Sequence, residues 1–172
     1  NDGGRFTNVS AEAGITIEGY GLGVVVSDLN QDGWPDLYVS NDFITNDLVW
    51  INDRDGTFTN RAAQYLKHQA HNGMGADVAD YNNDARPDIM VVDMLPPDNL
   101  RQKQMVGRGN YDAFNMALYL GYQPQYVRNT LQLNLGPGPD GQPRFSEIGQ
   151  LAGVEATDWS WAPLLADFDN DG

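Results

Sequence analysis

Asp28, Asn30, Asp32 and Asp36 place oxygen-bearing side chains at positions 1, 3, 5 and 9 of one stretch, Asp28-Leu29-Asn30-Gln31-Asp32-Gly33-Trp34-Pro35-Asp36. A hard cation such as Ca²⁺ takes about six to eight oxygen ligands, and a tight turn supplies several of them from one short segment. Alternation puts Asp28, Asn30 and Asp32 on the inside of that turn. Gly33 at position 6 permits the backbone angle that the sharp bend needs. The Trp34 carbonyl is the expected position-7 ligand, and Asp36 closes the shell.

The elements that must hold this loop are strands. Gly23-Val24-Val25-Val26-Ser27 precedes it and Leu37-Tyr38-Val39-Ser40 follows it, both β-branched or aromatic. An EF-hand loop has the same first half, but it carries a bidentate Glu at position 12, where this sequence has Val39. The alternative is a solvated Asp/Asn/Gly turn, since those residues dominate turns anyway. Recurrence argues for the metal loop. Asp80-Tyr81-Asn82-Asn83-Asp84-Ala85-Arg86-Pro87-Asp88 repeats the pattern, with ligands expected from Asp80, Asn82, Asp84 and Asp88 and from the Arg86 carbonyl. Asp167, Asp169 and Asp171 open a third copy in residues 167–172.

A net charge of -14, from 24 Asp+Glu against 10 Lys+Arg, argues against nucleic acid and against an anionic membrane surface as partners. Nine of the 24 acidic residues belong to the three loops, so much of the acidity has a proposed local purpose. With no cysteine, there is neither a disulfide framework nor a thiolate metal site. No run of about 18 apolar residues exists that would span a membrane. Asn1 is not a natural start, so the chain reads as a piece of something longer and carries no information about a signal peptide.

A second landmark recurs with the loops. Phe6, Phe58 and Phe145 each stand 22 residues before the first Asp of a loop. A period of about 50 residues fits a four-stranded propeller blade. Each unit is expected to have an inner strand (21–27, 73–79, 161–166), a second strand (37–40, 89–93), a third (48–51, 131–133) and a short fourth beginning at Phe6, Phe58 or Phe145. A helical or irregular link leads to the next unit. The second period carries an insertion, about 95–128. It is expected to form one helix over 99–106 capped by Asp98, and a second over 111–120 capped by Asn110 and stopped by Gly121, with Tyr111, Phe114 and Leu118 on one face. The expected class is all-β: one partial propeller domain over 1–172, about three four-stranded blades, with a small helical insertion.

The nonapeptide D-x-[DN]-x-D-G-x-x-D between strands, after a Gly-rich strand, resembles the FG-GAP/VCBS repeat of integrin-α-like β-propellers. Trp159-Ser160-Trp161-Ala162-Pro163, Arg101-Gln102-Lys103 and residues 126–134 resemble bacterial exported proteins that pair such repeats with an ASPIC/UnbV-type domain. The resemblance implies a seven-bladed propeller, Ca²⁺ in the loops of several blades, and a cell-surface, extracellular or periplasmic location. Ala85 departs from the pattern, standing where the motif has glycine.

For chemistry other than metal binding, His68 and His71 at i,i+3 are either a ligand pair or exposed residues of a polar linker, and the linker is the favoured reading. The four tryptophans are core filling or a sugar-stacking platform, with Trp50 read as core. No nucleophile elbow or dinucleotide fingerprint is present. The function read here is a binding module for a protein or a surface glycan, within a larger outer-membrane or surface complex. A polysaccharide lyase or hydrolase is the rival, for which Arg101, Lys103, Tyr111, Tyr126 and Arg128 of the insertion are the one collection of suitable side chains. A structural subunit of a surface assembly is the third reading.

Overall fold

The computed structural model describes residues 3–105 and 111–168. Expectations that rest on Asn110, Asp169 and Asp171 lie outside the described residues.

The loop-flanking segments form strands where their β-branched residues predict them. β1 (Gly21–Ser27) turns through the first loop into β2 (Asp36–Asn41), followed by β3 (Leu48–Asn52) and β4 (Phe58–Asn60). These four pair antiparallel in chain order. A short helix α1 (Ala62–Tyr65) and a two-residue strand β5 (Gln69–Ala70) lead to β6 (Gly75–Ala79), and the second loop connects it to β7 (Asp88–Val92). The insertion follows as α2 (Asn99–Met105), α3 (Tyr111–Tyr119) and β8 (Gln125–Tyr126). β9 (Thr130–Pro137), β10 (Pro143–Glu147) and α4 (Gly149–Ala152) complete the order. The second sheet runs β6-β7-β9-β10, the same antiparallel meander with the insertion placed between its second and third strands. The regular structure of the described residues is therefore mostly strand, chiefly in antiparallel sheets, with few helices, and no described helix is long and apolar enough to cross a membrane.

One core lies between the two sheets. Tyr38, Val49 and Ile51 from the first meet Ile89, Val91 and Phe145 from the second, with Leu29 and Tyr65 filling the ends. A second cluster lies on the far face of the second sheet, where Met90, Val92 and Leu131 are covered by Ile148, Ala152, Val154 and Leu165. β7 is thus buried on both faces. β1 is not: Leu22, Val24 and Val26 on its outer face are 49%, 65% and 63% exposed.

Glycine sets the spacing between layers. β6 lies directly on β1, where a Cβ on Gly23 would come within 3.0 Å of the Ala76 nitrogen and 3.1 Å of the Gly75 Cα. The segment from Trp161 lies on β6 in the same way: a Cβ on Gly75 would collide with the Trp161 carbonyl oxygen, and the Leu165 N–H donates to Asp77 Oδ2 at 2.7 Å.

Several expectations need correction. The described residues form two four-stranded sheets, not three units. Residues 161–166 occupy the place of an inner strand, but no described strand pairs with them, so no ladder forms. Phe6 starts no strand and is 88% exposed. β6 begins at Gly75, two residues later than expected; the Gly73 N–H donates to the Asn41 carbonyl of the first sheet and the Met74 N–H to the Val92 carbonyl of β7. The 67–72 stretch is not an exposed linker. Gln69 and Ala70 are buried in a parallel pair with β8, a pairing that short polar segments far apart in sequence did not reveal.

Candidate functional site

The two complete loops are built alike. The position-1 carboxylate accepts the N–H groups of positions 5 and 6: Asp28 from Asp32 at 2.9 Å and Gly33 at 2.8 Å, Asp80 from Asp84 at 3.0 Å and Ala85 at 2.6 Å. The position-5 carboxylate accepts the position-7 N–H and the position-3 amide: Asp32 from Trp34 and Asn30, Asp84 from Arg86 and Asn82. The position-9 carboxylate reaches back to position 2, Asp36 to Leu29 and Asp88 to Tyr81, each at 2.9 Å. Positions 4 and 6 are left-handed in both loops, at φ 57° and 88° in the first and 58° and 63° in the second. Gln31 of the first loop donates to the Ala85 carbonyl of the second, so the loops sit side by side.

Both loops are braced by a residue that the sequence showed only as the start of a polar turn. The Asn52 N–H donates to Asp36 Oδ1 at 2.9 Å, and the Asn134 N–H to Asp88 Oδ1 at 2.7 Å. Their side-chain amides donate to the Pro35 and Pro87 carbonyls. The only signal available was that each asparagine directly follows an expected third strand.

Each loop concentrates like charge. Burial pushes the Asp36 carboxyl up, backbone N–H bonds oppose it, and the charges of Asp32 and Asp28 add to the rise. Asp88 is raised in the same way, with Asp84 and Asp80 adding. An arginine stands against position 5 in both loops: Arg54 at 2.8 Å from Asp32 and Arg86 at 3.2 Å from Asp84. Burial works against the Asp32 charge, but the Arg54 and Asn30 bonds outweigh it and hold that carboxyl below its ordinary value. The side-chain donors are oxygens throughout, and the like-charge crowding at position 9 is one that a divalent cation would relieve. The residues present fit such an ion. Among the described residues no three acidic or histidine side chains are gathered into a ready-made metal cluster, and the position-1 carboxylates accept loop N–H groups. Trp34 is exposed and presents no side-chain ligand. Asp167 is exposed at the end of the described chain, in a loop whose remaining acids are not described.

The other end of the sheets is different. Where residues 42–47 link β2 to β3, residues 93–129 link β7 to β9. Asp98 caps α2 through the Arg101 N–H at 2.8 Å, and Gly121 at φ 91° stops α3. No side chain of α2 or α3 is buried; Tyr111 is 76% exposed and Tyr119 85%. Tyr111, Phe114, Ala117 and Leu118 of α3 face Ile44 and Tyr126 across a cavity of about 570 Å³. His71, Gln123 and Gln125 are its polar residues. The return of the insertion is firmly tied: Gln123 N–H donates to Asn46 Oδ1, Gln125 Nε2 to the Ile44 carbonyl, and Phe114 stacks on Tyr126 at 5.7 Å. Arg128 lies 5.1 Å over the Tyr126 ring and 3.1 Å from Glu147 Oε2, which also faces His68 Nε2 at 3.0 Å. His68 is therefore part of an anchor, and His71 part of a cavity wall. Of the five side chains collected for catalysis, Tyr111 and Tyr126 line the cavity; Arg101 and Arg128 pair with Asp158 and Glu147. Trp50 is buried as core, whereas Trp159 and Trp161 are 53% and 64% exposed.

An FG-GAP-like repeat matches residues 28–91, from the first Asp of loop one through the second loop into β7. No curated protein matches the chain.

Proposed function

We propose that the two sheets are neighbouring blades of a calcium-stabilised β-propeller, and that the chain serves an exported or cell-surface bacterial protein as a binding module. The FG-GAP-like repeat supports the propeller, and the wider resemblance supplies the count of seven blades and the location. The stacking supports it further. Gly23, Gly75 and Ala162 each stand five residues before the first Asp of a loop, and each successive one lies on the one before, so layers follow one another by a repeated step. The exposed Leu22, Val24 and Val26 face is the counterpart of the β6 face that the first sheet covers, which fits another blade at that position.

In this reading Asp28, Asn30, Asp32, Asp36 and the Trp34 carbonyl hold one Ca²⁺. Asp80, Asn82, Asp84, Asp88 and the Arg86 carbonyl hold a second, and Asp167, Asp169 and Asp171 contribute to a third. Calcium supplies the positive charge that the crowded carboxylates lack. The partner is a protein or a surface glycan, bound where the insertion stands clear of the sheets. The observation that carries the binding role is the cavity under α3, whose apolar and aromatic wall is built largely by insertion residues that the β repeat does not need, closed by Ile44.

Metal analysis of the full-length protein purified without chelator, with melting in EDTA and in calcium, tests the first part. Calcium at a hundred times its Kd adds about 2.7 kcal/mol per site, and absence of calcium sinks the reading. Replacing residues 93–129 by the 41–47 connection tests the second. Loss of binding to a panel of surface glycans and envelope proteins, with calcium content kept, supports it; unchanged binding removes the insertion as the site.

A further inference from the structure

The chain carries ten Lys+Arg residues. Arg54, Arg86, Arg101 and Arg128 each pair with a carboxylate. Arg61, Lys67 and Arg144 form no ion pair among the described residues, and all three line one cleft of about 890 Å³ between the α1 segment and the β9–β10 hairpin. Asp140 is the one acid in its wall. In a chain of net charge -14 this is a local reversal of sign, and a cleft focuses the field that its lining sets up. The cations are positioned, too. Arg61 Nη1 donates to Gln64 Oε1 at 3.1 Å, and Arg144 lies across Gly138, where a Cβ would collide with its guanidinium.

The neutral wall narrows the ligand. Gln64, Gln142 and Ser146 offer amides and a hydroxyl, and Tyr65 donates its O–H to Gln142 Oε1 at 2.9 Å. An added peptide strand fits poorly. β10 is the sheet edge here, but Pro143 has no N–H and the register shifts between Pro143 and Phe145, which blunts an edge against strand addition. Amide and hydroxyl groups interspersed with unpaired cations suit a ligand rich in hydroxyls that also carries anionic groups.

We infer that this cleft binds an acidic polysaccharide, with Arg61, Lys67 and Arg144 meeting its carboxylate or sulfate groups. The inference goes beyond the reading above: it shares the glycan class but places it at a second site that uses none of the insertion, so the insertion replacement leaves it standing. The full-length protein is titrated calorimetrically with oligogalacturonate, a heparin-derived oligosaccharide, cello-oligosaccharide and poly-glutamate, at low and at about 0.5 M salt. An acidic oligosaccharide is expected to bind at least tenfold more tightly than the neutral one, and to weaken with salt. The uronate and sulfate arms identify which anion is preferred. Combined Arg61→Gln, Lys67→Gln and Arg144→Gln is expected to weaken that binding at least tenfold, and Asp140→Asn to strengthen it two- to threefold. Equal binding of the neutral oligosaccharide, or unchanged binding by both variants, overturns the inference. Poly-glutamate binding as tightly as the oligosaccharides assigns the cleft to acidic peptides and overturns it as well.

Discussion

The two four-stranded units agree at one end and part company at the other. At the loop end, hydrogen bonds, backbone signs and the bracing asparagine coincide position by position. At the opposite end a six-residue link faces an insertion, and even the buried polar pair is exchanged. In the first unit the Asn41 N–H donates to the Asp47 carboxylate; in the second the Asp93 N–H donates to the Asn129 amide. The loops share one turn geometry in both units, and the main difference in length between the units lies at the other end. In the proposed reading the metal loops and the insertion cavity thus stand at opposite ends of the strands.

The largest expected effect tests whether the layers really repeat. Gly75→Ala places a methyl group against the Trp161 carbonyl, and both sides of that contact are backbone. Overpacking of this kind costs about 3 kcal/mol. Gly56→Ala, at φ 93° with nothing near its Cβ, is expected to cost only about 1 kcal/mol, the ordinary strain of a left-handed alanine. Chemical denaturation of the two variants makes the comparison. Equal costs would mean that residues 161–165 do not stack on β6 as β6 stacks on β1.

That stacking also marks how far the sequence was legible. β1 matched its expected bounds because valines and a loop signal defined both ends, and the loops were readable because side-chain type at fixed spacing determines their geometry. The segment at 161–166 carried strand-like residues, but a strand is a property of two segments, and pairing is not written in one of them. The β5–β8 pair and the His68–Glu147–Arg128 anchor were hidden for a similar reason, since each joins polar residues more than 50 positions apart. The acidic excess was legible as a total; that three unpaired cations share one cleft was not, because they come from two distant segments.

The exchanged polar pair predicts a pH effect of intermediate size. Asp47 is fully buried, and burial raises its carboxyl to about 7, despite bonds from the Tyr38 O–H at 2.6 Å and the Asn41 N–H at 2.8 Å; the Asp93 charge adds to the rise. A carboxyl raised in the folded state stabilises below its unfolded value of 3.8 and loses that contribution as pH climbs through about 7. Burial raises Asp93 as well, so its slope is superimposed and only a comparison isolates Asp47. Asp47→Asn copies the second unit, where Asn129 already fills the place. The advantage of the variant over the wild type should grow by on the order of 2 kcal/mol between pH 5 and pH 8. Melting across that range decides it; parallel curves would show that Asp47 ionises without penalty.

The smallest effect concerns the one position where the loops differ in sequence but not in shape. Position 6 is Gly33 at φ 88° in the first loop and Ala85 at φ 63° in the second. Alanine in the left-handed region costs about 1–2 kcal/mol, part of which it recovers by restricting the unfolded chain. The second loop holds that conformation because the Ala85 N–H bonds Asp80 and its carbonyl accepts from Gln31, so both sides of the strained residue are fixed. Ala85→Gly should therefore stabilise by about 0.5–1 kcal/mol, and Gly33→Ala should destabilise by a similar amount. Calcium should magnify neither change, since the position-6 side chain is no ligand. Denaturant titration of both variants, with and without calcium, checks the pair. If Gly33→Ala is neutral while Ala85→Gly still stabilises, the first loop relaxes more readily than the second, and their likeness is one of sequence pattern more than of stiffness.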